Sequence, residues 1–184
     1  MAALISEAYQ ELQQQLHENP DYGAASVGYA PLVARMLQQV GANALLDYGA
    51  GKGRLGEALR LRLQRLPVIH HYDPAIAHWS AAPEPCEFVA CIDVLEHIEP
   101  ELLDNVLDDL ARVTLGVGLF TVHTGAAIKV LSDGRNAHLI QQPPKWWLPK
   151  LMARFELLTF SRVPMGFWVI VKRTAKAEFA RGQP

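Results

Sequence analysis

The stretch Leu45-Leu46-Asp47-Tyr48-Gly49-Ala50-Gly51-Lys52-Gly53-Arg54-Leu55 constrains this chain more than any other. It is an apolar run that ends in an acid, then three glycines at alternate positions, then a segment suited to helix. A strand feeding a glycine-rich turn presents backbone N–H groups to a ligand at the end of a parallel α/β sheet. Glycines at 49, 51 and 53 omit the side chains that would hold a ligand off the backbone.

The remaining segments predict the walls around that turn. Residues 2–18 suit a helix, which Asn19-Pro20-Asp21 breaks. A second helix is expected over 26–39, with Val33, Met36, Leu37 and Val40 at helical spacing and Gly41 as its stop. These elements are expected to cover one side of the ligand site, with Tyr22 in reach of the ligand or packed on the core. A first strand over 44–47 and a helix over 54–65 frame the glycine turn. Val68-Ile69-His70-His71-Tyr72-Asp73 reads as a second strand ended by an acid. Asp73 stands twenty residues after Gly53, where a doubly wound fold places a carboxylate for a ribose diol. Such a carboxylate accepts from both hydroxyls at once.

Further strands are expected over 87–93, 117–122, 156–162 and 167–172, with helices over 99–113 and 145–154. Residues 132–144 read as a loop too polar for the core, and 174–184 as a frayed tail. This alternation predicts an α/β class: a Rossmann-like, doubly wound, largely parallel sheet closed by an antiparallel C-terminal edge hairpin. The expected organisation is one domain, with N-terminal helical segments over 1–43, the sheet domain over 44–173 and a flexible tail over 174–184.

Charge narrows the function. The formal net charge is -2, which weighs against nucleic acid as a partner, because phosphate binding shows as a basic surplus. The arginines at 60, 62 and 65 read as a solvated face. Cys86 and Cys91 lack metal-ligand spacing and read as free thiols of a reducing compartment. The N-terminus lacks the basic start and apolar core of a signal peptide, and no apolar run reaches the ~18 residues of a membrane span. The expectation is a cytoplasmic protein without a membrane partner.

Three stretches in order resemble the class I S-adenosylmethionine-dependent methyltransferases of small-molecule type. Leu45 to Gly53 is similar to that family's first motif, and His71-Tyr72-Asp73-Pro74 to its acid-ended second strand. Phe88-Val89-Ala90-Cys91-Ile92-Asp93-Val94-Leu95-Glu96-His97-Ile98 is similar to its fourth-strand motif. The resemblance covers residues 44–172. It implies S-adenosyl-L-methionine as cofactor and roles for the matched positions. Asp47 would orient the glycine turn and the methionine amino group. Tyr48, Gly49, Ala50, Gly51 and Gly53 would pass under the methionine part. Asp73 and Pro74 would meet the ribose, and Asp93 and Val94 would sit beside the sulfonium-bearing chain.

One departure stands out. Only about fifteen residues separate Asp73 from Phe88, where the family fits a further helix and strand whose end binds the adenine. That element is expected to be shortened or missing, with Trp79, Ala81, Ala82 and Glu84 as substitute adenine contacts.

The acceptor side is expected at the ends of the later strands. His138, then His123, then His97 are the candidate bases, since a neutral imidazole can take a proton from an attacking hydroxyl or amine. Each of them can equally be a loop-capping histidine. Trp146 and Trp147 are candidates for an apolar lid or for core, and Arg135 for a partner to an acceptor's anionic group. No metal set is expected, because the two acids and an amide of catechol-type enzymes have no counterpart here. Three other readings stand beside a small-molecule methyltransferase. A non-catalytic methyltransferase-like module is motivated by the shortened adenine region. A nucleic-acid amine methyltransferase is suggested by Gln142-Pro143-Pro144-Lys145-Trp146, which departs from that box in its first residue and its place. A dehydrogenase would use the literal G-x-G-x-x-G of residues 51–56.

Overall fold

The computed structural model describes residues 2–174. The first helix, α1 (Glu7–Glu18), begins at Ser6, whose hydroxyl accepts the Tyr9 N–H at 3.2 Å. Such a cap satisfies one of the N–H groups that a helix start leaves open. Ser6 is itself held by Glu99, which accepts from its N–H at 2.8 Å and its hydroxyl at 2.6 Å. That long-range tie docks α1 over the C-terminal ends of the strands. Helix α2 (Ala25–Val40) stops at Gly41, which takes a left-handed conformation with φ 66°.

From there strands and helices alternate: β1 (Ala44–Tyr48), α3 (Arg54–Arg60), β2 (Val68–Tyr72), β3 (Cys86–Cys91), α4 (Leu103–Val113), β4 (Thr114–His123), α5 (Pro144–Met152), β5 (Phe155–Val163) and β6 (Gly166–Arg173). One sheet joins the six strands in the order β2-β1-β3-β4-β6-β5. The β1/β2, β1/β3 and β3/β4 pairs are parallel, while β4/β6 and β5/β6 are antiparallel. This is the doubly wound sheet with an antiparallel edge hairpin that the sequence predicts.

Alternation along the strands divides the core into two layers. Leu46 and Tyr48 of β1 and Val89 and Cys91 of β3 face α4 and α5, around Leu107, Leu110 and Trp147. Leu45, Phe88 and Ala90 face the other way, against Val33, Leu37, Leu55 and Leu59 of α2 and α3. Between β2 and β3 the chain forms only a short 3-10 turn, Ala77–Trp79. The shortening expected after Asp73 is therefore present.

Several local expectations need correction. Helix α3 ends at Arg60 rather than near 65, where the Arg62 N–H tightens the last turn with an i→i−3 bond to the Leu59 carbonyl. The loop over 132–144 is exposed over 132–135 and 141–143 but dips into the interior between them. Ala137, His138 and Ile140 in it are buried. Asn136 makes this tolerable: its side-chain oxygen accepts from Ala127 N–H and His138 N–H, and its amide donates to the Ala127 carbonyl. Ile140 N–H further donates to the Glu96 carbonyl at 3.0 Å. Buried backbone groups need such partners. The tail expected over 174–184 lies, apart from Thr174, outside the described residues. No helix among the described residues is long and apolar enough to cross a membrane.

Candidate active site

The C-terminal ends of β1, β2 and β3 open onto a cleft that α1 and the connection before α2 wall in on one side. Its floor is the glycine turn. Gly49 has φ 78°, and a Cβ there would lie 2.4 Å from Val94 Cγ2. Gly51 has φ 53°, and its Cβ would lie 3.1 Å from the His17 ring. Both positions require glycine, for conformation and for space. The turn is pinned from behind by the Tyr72 carbonyl, which accepts from Gly49 N–H at 2.7 Å and Ala50 N–H at 3.0 Å.

Asp73, at the end of β2, is 7% exposed. One carboxylate oxygen accepts from Gly51 N–H at 2.9 Å and the other from Ala75 N–H at 3.0 Å. Each oxygen keeps a further lone pair for a ligand. Tyr22, Tyr48, Gly49, Ala50, Gly51, Asp73, Pro74, Asp93, Val94 and His97 all line the cleft. Gly53 does not. It closes the turn as the N-cap of α3 and faces Trp79. Asp47 also stays out of the lining. Its buried carboxylate faces the His71 Nδ1 at 3.5 Å, and its Oδ2 has no hydrogen-bond partner. Burial pushes its carboxyl above the usual range, against the opposing pull of His71. Trp79 lies on the far side of the turn, stacked on His71 at 4.5 Å. The apolar end of the cleft is formed instead by Leu4, Ile5, Ala75, Ile98 and Val106.

The N-terminal helix supplies the wall expected of it, through residues that the sequence did not single out. Tyr9, Gln13 and His17 recur every fourth residue and face the cleft. That spacing was the available signal. Tyr9 donates to the His97 carbonyl at 2.6 Å, and Gln13 donates to the Tyr9 hydroxyl at 2.6 Å. Burial raises the Tyr9 and Tyr22 phenols well above their ordinary value, so both stay protonated.

The three candidate histidines meet behind the Asp93 end of the cleft. The His97 and His138 rings are 4.7 Å apart, and the His123 and His138 rings also 4.7 Å. His97 alone of the three lines the cleft. Its Nδ1 lies 2.8 Å from the Ala137 carbonyl. A carbonyl only accepts, so Nδ1 carries the proton and Nε2 keeps a lone pair. Burial lowers the His97 pKa to about 4, with Asp93 pulling the other way. His138 is likewise held through Nδ1, 2.7 Å from the Gly125 carbonyl. Glu96 is fully buried and accepts the His123 N–H. Burial, and next the Asp93 carboxylate, push its carboxyl well above the usual range.

Asp93 holds a positive φ of 60°, in the left-handed region that aspartate enters more readily than most residues. Its N–H donates to Thr121 Oγ1 at 2.9 Å. The remaining acceptor-side candidates are engaged elsewhere. Trp147 is 0% exposed and is core, with its indole N–H donating to the Gln142 carbonyl at 3.1 Å. Trp146 packs on Trp147 and carries Lys150 over its face. Arg135 pairs with Asp133 at 2.7 Å and lies over the Tyr9 ring.

No protein-family model and no curated protein matches the chain. Solved structures do. The chain is similar to 1,6-didemethyltoxoflavin-N1-methyltransferase of Burkholderia thailandensis, solved with 1,6-didemethyltoxoflavin and S-adenosylhomocysteine. The TM-score is 0.65 at 16% identity, over 95% of this chain and 92% of that one. It is similar to DhpI, solved with S-adenosylhomocysteine, at TM-score 0.60 and 14% identity over 92% and 99% of the two chains. An O-methyltransferase family protein from Burkholderia thailandensis matches at TM-score 0.57 and 13% identity, over 94% and 64%. At these identities the likeness establishes a fold: the chain has the fold that these methyltransferases share.

Proposed function

We propose that this chain, which has the class I methyltransferase fold, is itself an S-adenosyl-L-methionine-dependent methyltransferase acting on an oxygen or nitrogen of a small-molecule acceptor. The observation that carries the reading is the cleft floor. Gly49 and Gly51, both at positive φ and packed against Val94 and His17, hold a tight side-chain-free turn along the cleft floor, and Asp73 offers free lone pairs beside it. A methionine chain fits over such a turn, and a ribose diol fits such a carboxylate. Two of the similar structures were solved with S-adenosylhomocysteine, the product form of this donor.

The donor supplies an activated methyl group on a sulfonium. The chain supplies position. Gly49, Ala50 and Gly51 fix the floor, Asp73 and Pro74 the ribose side, and Asp93 and Val94 the far wall. Tyr9, Gln13 and His17 of α1 cover one side. His97 enters as a neutral imidazole with a free Nε2, able to take a proton from the attacking atom. Alignment of acceptor and methyl group accounts for most of the rate in such a displacement. The negative net charge favours a small acceptor over nucleic acid. Two free, buried cysteines fit a cytoplasmic site of action.

The test is transfer of a labelled methyl group. The protein incubated with methyl-labelled donor and a metabolite extract is expected to yield a labelled small molecule, and His97→Ala to lower the yield at least about tenfold. No label above a protein-free control, across extracts, favours a non-catalytic binding module instead.

A further inference from the structure

Behind the cleft wall, Asp93, Glu96 and His138 turn one ligand atom each towards a common point, all within 4.8 Å of one another. The three come from two separate segments. Asp93 and Glu96 leave the end of β3, and His138 belongs to the buried loop between β4 and α5. Each is prepared in a way that packing alone does not require. Glu96 is 0% exposed, and one carboxylate oxygen accepts a backbone N–H while the other, Oε2, has no protein partner. Nδ1 of His138 donates to the Gly125 carbonyl at 2.7 Å. That bond fixes the tautomer, aims the ring and leaves Nε2 as a lone-pair donor, the arrangement that orients metal-ligating imidazoles. Asp93 is held at φ 60°, with its carboxylate in the same cluster as Glu96.

Two carboxylates placed together in a buried pocket repel one another. A divalent cation between them offsets that repulsion and satisfies the orphaned oxygen. We propose that Asp93, Glu96 and His138 form a binding site for a divalent first-row transition-metal cation of the Mn2+ kind. Two oxygen ligands and one imidazole nitrogen suit this class, whereas Ca2+ and Mg2+ favour all-oxygen sets. Three protein ligands leave positions open. Asp93 lines the cleft, so an open position on that side is available to an oxygen of the acceptor. This deepens the methyltransferase reading and rests on it: the acceptor class becomes one with a metal-binding oxygen, such as a hydroxyl beside a second oxygen donor. The cation would draw charge from that oxygen and hold it in line.

The experiment is Mn2+ titration of tag-free, full-length protein after chelator treatment, followed by electron paramagnetic resonance of the free ion. The unmodified protein is expected to take up Mn2+ at a single site. Glu96→Gln keeps the oxygen that accepts the His123 N–H and is expected to weaken uptake at least about tenfold, as is His138→Gln. Asp93→Asn, at the half-exposed cleft wall, reads the same site should either buried variant fail to fold. No Mn2+ uptake by the unmodified protein, or uptake unchanged in the folded variants, overturns the site. S-adenosylhomocysteine binding is measured on the same samples. Cofactor binding without Mn2+ uptake removes the cation and leaves the methyltransferase reading intact. Mn2+ uptake without cofactor binding does the reverse.

Discussion

Gly51 N–H donates to the Asp73 carboxylate at 2.9 Å across twenty-two residues of sequence, so the glycine turn and the end of β2 are one device. Removing the carboxylate acts on both halves. Asp73→Ala leaves the N–H groups of Gly51 and Ala75 without their acceptor, costing about 1–3 kcal/mol of stability. It also removes the ribose acceptor and is expected to weaken S-adenosylhomocysteine binding by at least about tenfold. Asp73→Asn keeps one side-chain oxygen and is expected to fall between the two. Calorimetry on the folded proteins measures the affinity, and urea unfolding the stability.

Gly49 and Val94 form the tightest approach in the cleft floor. An alanine at 49 would place its Cβ 2.4 Å from Val94 Cγ2 at a φ of 78°. Gly49→Ala is expected to destabilise by about 1–3 kcal/mol through overpacking and conformational strain together. Adding Val94→Ala removes the overlap but not the strain, so the double variant is expected to recover only part of the loss. Full additivity in a double-mutant cycle would mean that the two side chains do not meet.

The donor half of the site was legible in the sequence because its signals are local. A strand, an acid and a glycine turn are read from neighbouring residues, and Asp73 follows at a fixed distance. The short connection before β3 was visible as a missing length of chain. The acceptor half was not legible in the same way. The loop over 132–144 is polar by composition, and its burial comes from Asn136 bonds to Ala127 and His138 and from the Ile140 bond to Glu96. Those partners are set by tertiary contact. The same holds for α1, whose Tyr9, Gln13 and His17 matter only because Glu99 holds Ser6 in place.

Asp47 carries a pH-dependent cost. Its carboxyl is buried and lifted above the usual range. Below the ordinary carboxylate value near ~3.9 it is protonated in the folded and unfolded chain alike and costs nothing. As the pH rises past that value, the unfolded chain releases the proton and the folded chain retains it. Stability then falls until the pH passes the raised folded value, and levels off above it. Asp47→Asn has no such proton. Its Tm relative to the unmodified, ligand-free protein is expected to be least favourable near pH 4 and to improve towards neutral pH. A difference in Tm that does not vary with pH contradicts this.

Trp147 is core and no lid. Trp147→Ala is expected to cost about 3–5 kcal/mol of stability, as for other buried aromatics, read by denaturant unfolding. A lid would lose little stability on truncation.

The most direct measurement is calorimetric titration of the purified, full-length protein with S-adenosylhomocysteine. Saturable binding at a single site, weakened at least about tenfold in folded Asp73→Ala, is the expected result. No binding by the unmodified protein, or equal binding by the Asp73→Ala variant, would contradict the assignment of the glycine cradle and Asp73 as a methyl-donor site.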